Sequence, residues 1–157
     1  VPPLLGSKTV DAGITWDPHL SKALAAGHSK VLLGSAKILP IKNGHYIGNG
    51  VYAREDFIAK SPELVQDIIT AIVKAIDIIQ KEPDKAIDMW VEQIGFPKDV
   101  ITFAVKENIS VFDRDVAPEA STIEAYTKFL KEAGILKPDD NPKFDPAFAK
   151  AALEQAK

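Results

Sequence analysis

The stretch that most constrains this chain runs from residue 11 to residue 20 and reads Asp-Ala-Gly-Ile-Thr-Trp-Asp-Pro-His-Leu. Its first half alternates apolar residues around a glycine, which predicts a short buried strand. In its second half Asp17 suits the N-cap of a helix and Pro18 its first position, where a missing N–H costs nothing. A strand that leads into a helix N-terminus leaves free backbone N–H groups at the strand's carboxyl end. This corner therefore predicts a site for a small ligand.

The predicted helix stops at Gly27, and a second apolar run follows at residues 30–34. Together these segments predict a β-α-β unit with parallel pairing and a right-handed crossover. Residues 46–53 read as a further strand that contains two glycines. Glycine inside a strand indicates a bulge or a close backbone approach, and a crossing between two lobes is an equally good interpretation.

The chain is predicted to be mostly helical from Arg54 onward. The most regular pattern follows Ser61, whose serine-proline pair is a helix start, and it continues to about Lys81. Its predicted broad apolar stripe consists of Val65, Ile68, Ile69, Ile72, Ile76 and Ile79. Glycines predict the ends of two later helices, at Gly95 and Gly134. Further helices are predicted at residues 82–94, 98–107, 118–133 and 145–153, and a short strand or extended segment at 109–112.

Composition excludes several classes of protein. The 157 residues carry a net charge of only −3, so there is no electrostatic footprint for nucleic acid or for an anionic membrane. The absence of cysteine excludes a disulfide framework, a thiolate zinc site and a cysteine nucleophile. Because the predicted strands come early and the helices late, we expect the chain to be the carboxyl-terminal part of a larger α/β protein.

The order of these features resembles the ABC-transporter solute-binding proteins of the aliphatic sulfonate, taurine and nitrate type. The segments that carry the resemblance are Asp11-Ala12, Trp16-Asp17-Pro18, the Tyr-Ala-Arg-Glu-Asp-Phe run at 52–57, Ser-Pro-Glu-Leu-Val at 61–65 and Glu-Pro-Asp-Lys-Ala at 82–86. The resemblance implies a partial α/β fold like that of type II periplasmic-binding proteins. Residues 1–37 would form a second-lobe β-α-β portion, residues 38–50 a crossover, and residues 51–157 the mostly helical carboxyl-terminal part of the first lobe.

The resemblance also implies a function. Two lobes would close over a small organic anion or zwitterion (a sulfonate, taurine, nitrate or a pyrimidine-like molecule) and deliver it to an ABC permease. The expected location is periplasmic or extracytoplasmic, with a lipid anchor as an option in the full-length protein. No covalent chemistry, cofactor or metal is expected. The enzymatic thiamine-pyrimidine branch fits poorly, because it depends on a cysteine-rich stretch. The alternative is a ligand-free sensing or protein-interaction domain, with homodimerisation through exposed surfaces.

Trp16 and Asp17 are the first candidate ligand-binding residues. The indole would stack on a ligand, and the carboxylate would favour an amine or a ring N–H and repel a bare anion. The helix N-terminus beside them favours an anionic group, so a zwitterion would satisfy both. The alternatives are that Trp16 fills the core and that Asp17 only caps the helix.

Three further residues are candidates through the resemblance, each with an alternative. His19 would touch the ligand or simply face solvent. Asn49 would offer its amide at the crossover, or would occupy a left-handed bulge. Arg54 would pair with an anionic ligand, or would form a surface ion pair. His28 and His45 are isolated and have no spacing that suits a metal.

Two other features are predicted to be structural. Trp90 lies on an apolar helical face and is expected in the core. The Asp113-Arg114-Asp115 run is interpreted as a solvated loop and not as a calcium or acid/base site.

Overall fold

The structure is a computed structural model that describes residues 1–39, 47–107, 111–114 and 116–156. Its regular elements are α-helices, joined by turns and extended segments, with one short 3₁₀ turn at Ser35–Lys37. The helices are α1 (Pro2–Gly6), α2 (His19–Ala25), α3 (Glu55–Lys60), α4 (Pro62–Lys81), α5 (Pro83–Ile94), α6 (Lys98–Lys106), α7 (Ala120–Glu132) and α8 (Ala147–Gln155).

The expected α/β, type II periplasmic-binding-protein fold is wrong for the described residues. Helix accounts for 58% of the structure, and no strand or sheet occurs in the part of the chain that it describes. The predicted strands at 11–16 and 30–34 are extended or bent without a ladder, and so are the described residues of the third, 47–53. Tyr46 lies outside the described residues. The segment predicted at 109–112 is described only from residue 111, where it is not a strand.

The physical reason lies in how each kind of element satisfies its backbone. A helix pairs its own N–H and C=O groups locally, whereas a strand needs a neighbour, and two or three short strands are marginal without more sheet. The predicted strands are short and find no such neighbour among the described residues. Their apolar side chains consequently remain in water: Ile14 is 92% exposed and Leu32 is 76% exposed.

The helix ends that glycine predicts at Gly95 and Gly134 are confirmed. Gly95 follows α5 with φ of 75°, and Gly134 follows α7 with φ of 70°. Both angles are left-handed, which glycine adopts without the steric cost of a Cβ. Before α8, the Asp145 carboxylate accepts a hydrogen bond from the Ala147 N–H at 2.9 Å. These local signals work because they act within a few residues of one another.

The helix predicted from the Ser61 start to about Lys81 is confirmed as α4, which has 20 residues. The predicted apolar stripe is only partly buried: Val65 and Ile76 are inside, whereas Ile68 is 43% exposed. The stripe is displaced because Val73, at 0% exposure, lies on the buried face. The same helix buries two polar residues, Thr70 and Asp77, each of which has hydrogen-bond partners.

The chain divides into two compact units. Unit 1 contains Val1–Leu32 and Ala75–Arg114, and unit 2 contains Leu33–Lys74 and Asp115–Lys157. The predicted division into a second-lobe part, a crossover and a first-lobe part stays a prediction.

Unit 1 is built from α1, α2, α5, α6 and the end of α4. Within it α1 contacts α2, α2 contacts α6, and α6 contacts α5. Several of the buried residues in this unit are small, and a small side chain allows helix backbones to approach closely. The buried residues are Ser21 and Ala23 on α2, Ala86 and Ile87 on α5, and Val100, Ile101 and Ala104 on α6.

Unit 2 fixes α8 against the first part of α4 through a polar network. The Gln66 Nε2 donates to the Phe148 carbonyl at 3.1 Å and to the Thr70 Oγ1 at 3.2 Å. The Thr70 hydroxyl in turn donates to Gln155 Oε1 at 3.0 Å. Because its hydroxyl has hydrogen-bond partners, the buried Thr70 is compatible with a packed interior, while Gln66 is half-buried and Gln155 is exposed. The buried residues of α8 are Ala149 and Ala152.

We expect Ile87→Ala to lower the free energy of unfolding by about 2–4 kcal/mol, since Ile87 is 1% exposed and its removal leaves a cavity. Ile94→Ala on the same helix is the matched control. It should change stability far less, because Ile94 is 52% exposed. Urea unfolding followed by circular dichroism measures both. Equal losses in the two variants would contradict the described packing of α5.

Candidate functional site

Trp16 lies in the extended segment that precedes α2, and the residue is 75% exposed. Its carbonyl accepts a hydrogen bond from the Leu20 N–H at 3.0 Å, which holds the backbone of Trp16 on the first turn of α2. The alternative that Trp16 fills the core is therefore wrong. The indole presents a flat apolar face to solvent, a surface suited to stacking or to a cation.

Asp17 acts as a capping residue for α2. Its Oδ1 accepts hydrogen bonds from the Ser21 N–H at 3.0 Å and from the Ser21 hydroxyl at 2.6 Å. Ser21 is fully buried, so these bonds satisfy polar groups that water does not reach. The N-cap position of α2 is Pro18, one residue later than predicted, and the Asp17 carboxylate bonds the first turn of the helix from the position before it. The half-buried carboxylate lies directly after the exposed Trp16.

The extended segment before Trp16 runs close to the beginning of the chain. A Cβ built on Gly13 would lie only 2.8 Å from Val1 Cγ1, so a side chain at this position would have to displace Val1. Gly13, which was predicted to lie inside a strand, therefore leaves room for the Val1 side chain to lie close to the backbone, although residues 11–16 do not form a strand.

His19 is the first residue of α2 and faces solvent. Its ring lies edge-on to Phe96, with centroids 6.4 Å apart and an interplanar angle of 72°. Phe96 comes after the left-handed Gly95, which turns the chain between α5 and α6. The contact holds the imidazole close to an aromatic residue that the sequence did not single out.

Asn49 and Arg54 belong to unit 2. Asn49 is exposed, and because its φ is not positive, the left-handed bulge is wrong for this residue. Arg54 pairs with Asp56 through two hydrogen-bond contacts, Nε to Oδ1 at 3.0 Å and Nη2 to Oδ2 at 3.1 Å. Its side chain is 81% exposed, so the surface ion pair is the observed arrangement.

The five candidate residues thus fall into two groups, each described within its own unit. Trp16, Asp17 and His19 are neighbours around the start of α2 in unit 1. Asn49 and Arg54 lie on an extended segment before α3 in unit 2. Their role in ligand binding stays a prediction.

A shallow depression lies where α3 meets α4, and it contains none of the five candidates. The residues that line it are Lys60, Ser61, Pro62, Glu63 and Leu64.

Among the described residues no group of histidines and carboxylates has the arrangement of a metal site. His28 is exposed beside Gly6, and His45 lies outside the described residues. No helix in the described part of the chain is long and apolar enough to span a membrane.

Sequence reasoning missed the ion pair between Asp77 and Arg114, because it interpreted Arg114 as part of a solvated loop. The Arg114 Nε donates to Asp77 Oδ1 at 2.5 Å, and Asp77 is 9% exposed. One signal was available. Asp77 lies four residues after Val73 and so shares its helical face, and a carboxylate on an apolar helical face needs a partner.

Arg114 lowers the pKa of the Asp77 carboxyl below its ordinary value, mainly through the hydrogen bond, and Asp77 raises the pKa of Arg114. On the surface of unit 2, the Lys143 ammonium donates to Glu55 at 2.7 Å and lowers the pKa of that carboxyl. These pairs stabilise the charged forms of both partners.

Comparison with known proteins finds no matching family model, no similar curated protein and no similar solved structure.

We expect Asp17→Ala to lower the free energy of unfolding by about 1 kcal/mol, since it removes the acceptor for two hydrogen bonds at the start of α2. Asp11→Ala removes an exposed carboxylate from the preceding segment and is the control; it should change stability by less than about 0.5 kcal/mol. Urea unfolding compares the variants. A neutral Asp17→Ala would show that the cap does not stabilise α2.

The Asp77 pair predicts a pH dependence of stability. Because the folded-state pKa of Asp77 is lowered, its contribution is fully present above the ordinary carboxyl pKa and is lost as pH falls through the folded-state value. Asp77→Asn should therefore be less stable than the wild type at neutral pH, with a difference that shrinks as the pH falls below the ordinary carboxyl pKa. Urea midpoints over this range measure the difference.

Asp67→Asn, an exposed carboxylate on the same helix, is the control for this pH series, and its midpoint should stay close to the wild type at each pH. A pH-independent difference between wild type and Asp77→Asn would show that the charge of Asp77 does not stabilise the fold.

Proposed function

We propose that this chain belongs to the solute-binding component of an ABC importer. It would capture a small organic anion or zwitterion outside the cytoplasm and deliver it to a membrane permease, without covalent chemistry. The proposal rests on the ordered sequence features that resemble such proteins and does not depend on the α/β architecture that the described residues lack. The observation that carries it is the exposed Trp16 beside the Asp17 carboxylate.

The chemistry of this corner favours some members of the expected ligand group over others. The indole face attracts rings, alkyl chains and ammonium groups, and a cation over Trp gains about 0.5–1 kcal/mol at an exposed site. The neighbouring carboxylate disfavours a bare anion. Taurine, which carries an ammonium group, and pyrimidine-like molecules therefore fit better than nitrate.

A fluorescence titration tests the proposal, because the chain has only two tryptophans. Trp90→Phe leaves Trp16 as the reporter, and Trp16→Phe leaves Trp90 as the matched control. We expect taurine or a pyrimidine to change the Trp16 signal saturably and to leave the Trp90 signal unchanged. Nitrate should give only a linear, collisional decrease. Circular dichroism of both variants checks that the helices are intact.

A folded Trp90→Phe variant that shows no saturable change with any of these solutes would overturn Trp16 as the binding residue. A saturable change of equal size in both variants would place binding elsewhere.

Exposed apolar side chains favour a second candidate, a ligand-free protein-interaction domain that forms homodimers. In unit 1 Ile14 is 92% exposed, and in unit 2 Tyr52 is 90% exposed and Val51 is 62% exposed. Apolar groups left in water are a driving force for association. Sedimentation equilibrium separates the candidates: concentration-dependent dimerisation together with a silent titration favours the interaction domain, and a monomer with saturable binding favours the solute-binding protein.

A further inference from the structure

The described residues 111–114 lie in unit 1 and contact two of its helices, α4 and α5. The Phe112 carbonyl accepts a hydrogen bond from the Gln80 Nε2 at 2.8 Å. The Phe112 ring packs against Trp90 on α5, with centroids 5.4 Å apart and an interplanar angle of 54°. At the end of the segment Arg114 meets Asp77 on α4. Asp77 and Gln80 are three residues apart, so they share one face of that helix.

These contacts differ in chemistry. The Arg114 guanidinium engages both carboxylate oxygens of Asp77, through Nε at 2.5 Å and through Nη2 at 3.4 Å. A charge-assisted, two-point contact of this kind is stronger than a neutral hydrogen bond such as the one from Gln80. The ion pair therefore holds the segment on α4 more strongly than the hydrogen bond from Gln80 does.

When the Arg114 side chain moves away from Asp77, the Lys81 ammonium still lies beside the Asp77 carboxylate. Lys81 Nζ lies 3.6 Å from Asp77 Oδ2, one helical turn further along α4, and the Lys81 side chain is 72% exposed. The Arg114 side chain is itself 34% exposed, so it moves into water without crossing the interior. Release of the segment thus leaves no buried carboxylate without a counter-charge, which is the usual obstacle to opening a buried ion pair.

We propose that residues 111–114 form a strap that closes over Trp90 and opens when the Arg114–Asp77 pair is weakened. In the closed state Phe112 covers one side of the Trp90 indole. In the open state Lys81 neutralises Asp77, and the two aromatic side chains become accessible together. The strap is a conformational device of unit 1 and is independent of ligand binding at Trp16.

The experiment measures acrylamide quenching of Trp90 in the full chain carrying Trp16→Phe, so that Trp90 is the only fluorophore. Arg114→Gln removes the charge, and Arg114→Lys keeps the charge but loses the two-point geometry. Lys106→Gln is the matched control: it removes one positive charge from the same unit, from a pair with Asp84 at 3.0 Å that is exposed on both sides.

We expect Arg114→Gln to raise the Stern–Volmer constant of Trp90 roughly twofold at low salt, because a charge-assisted contact of the strap with α4 is lost. Arg114→Lys should give a smaller rise, and Lys106→Gln none. Raising NaCl from about 0.01 M to about 1 M shortens the screening length from about 30 Å to about 3 Å. At high salt the Stern–Volmer constant of the protein that keeps Arg114 should rise towards that of Arg114→Gln. The constant of Arg114→Gln itself should not change with salt.

Hydrogen exchange gives a readout that does not depend on the fluorophore. In Arg114→Gln the amides of 112–114 should exchange faster, while those of α5 and α6 keep their protection. An unchanged Trp90 quenching constant in a folded Arg114→Gln variant would overturn the strap. The strap would also be overturned if Arg114→Gln lost its helical circular dichroism signal, because the segment would then not open separately from the fold. An equal effect of salt on Trp90 quenching with and without Arg114 would overturn it as well, because the opening would then not depend on this charge.

Discussion

Hydrogen bonding within single helices is the interaction on which the rest of this structure depends. Each helix pairs its backbone without help from distant residues, and tertiary contacts then need only to bury one face. The segments between the helices lack this option. Residues 11–16 and 47–53 remain extended, with apolar side chains in water, because strand pairing requires a neighbouring backbone that the described residues do not supply.

The same constraint explains which parts of the fold the sequence predicted well. Helix ends follow from local chemistry, such as the left-handed glycines at 95 and 134 and the carboxylate of Asp145. The β-α-β prediction failed because periodicity shows that a run of residues suits a strand but not that a partner strand is present. The apolar stripe of α4 was correct in length, but it missed Val73, the residue on that helix that is most completely buried.

The candidate site shows a similar division between local and distant information. The Asp17 carboxylate bonds the first turn of α2, although the N-cap is Pro18 and not Asp17 as predicted, because the acceptor and the donors of Ser21 are only four residues apart. The exposure of Trp16 did not follow from the sequence, since an aromatic residue in an apolar run suits the interior equally well. The pairing of Asp77 with Arg114 spans 37 positions and depends on how the chain returns to α4. No short-range pattern encodes such a return.

The buried alanines of unit 1 bear on how this chain would vary over evolution. Ala23 on α2, Ala86 on α5 and Ala104 on α6 lie inside a unit whose helices contact one another closely. A larger side chain at such a position forces the helices apart, whereas glycine weakens the helix itself, so few replacements remain acceptable. Related sequences should therefore preserve these methyl-sized positions more strictly than the exposed isoleucines and leucines, and the pattern of small residues would identify distant relatives better than the large apolar ones.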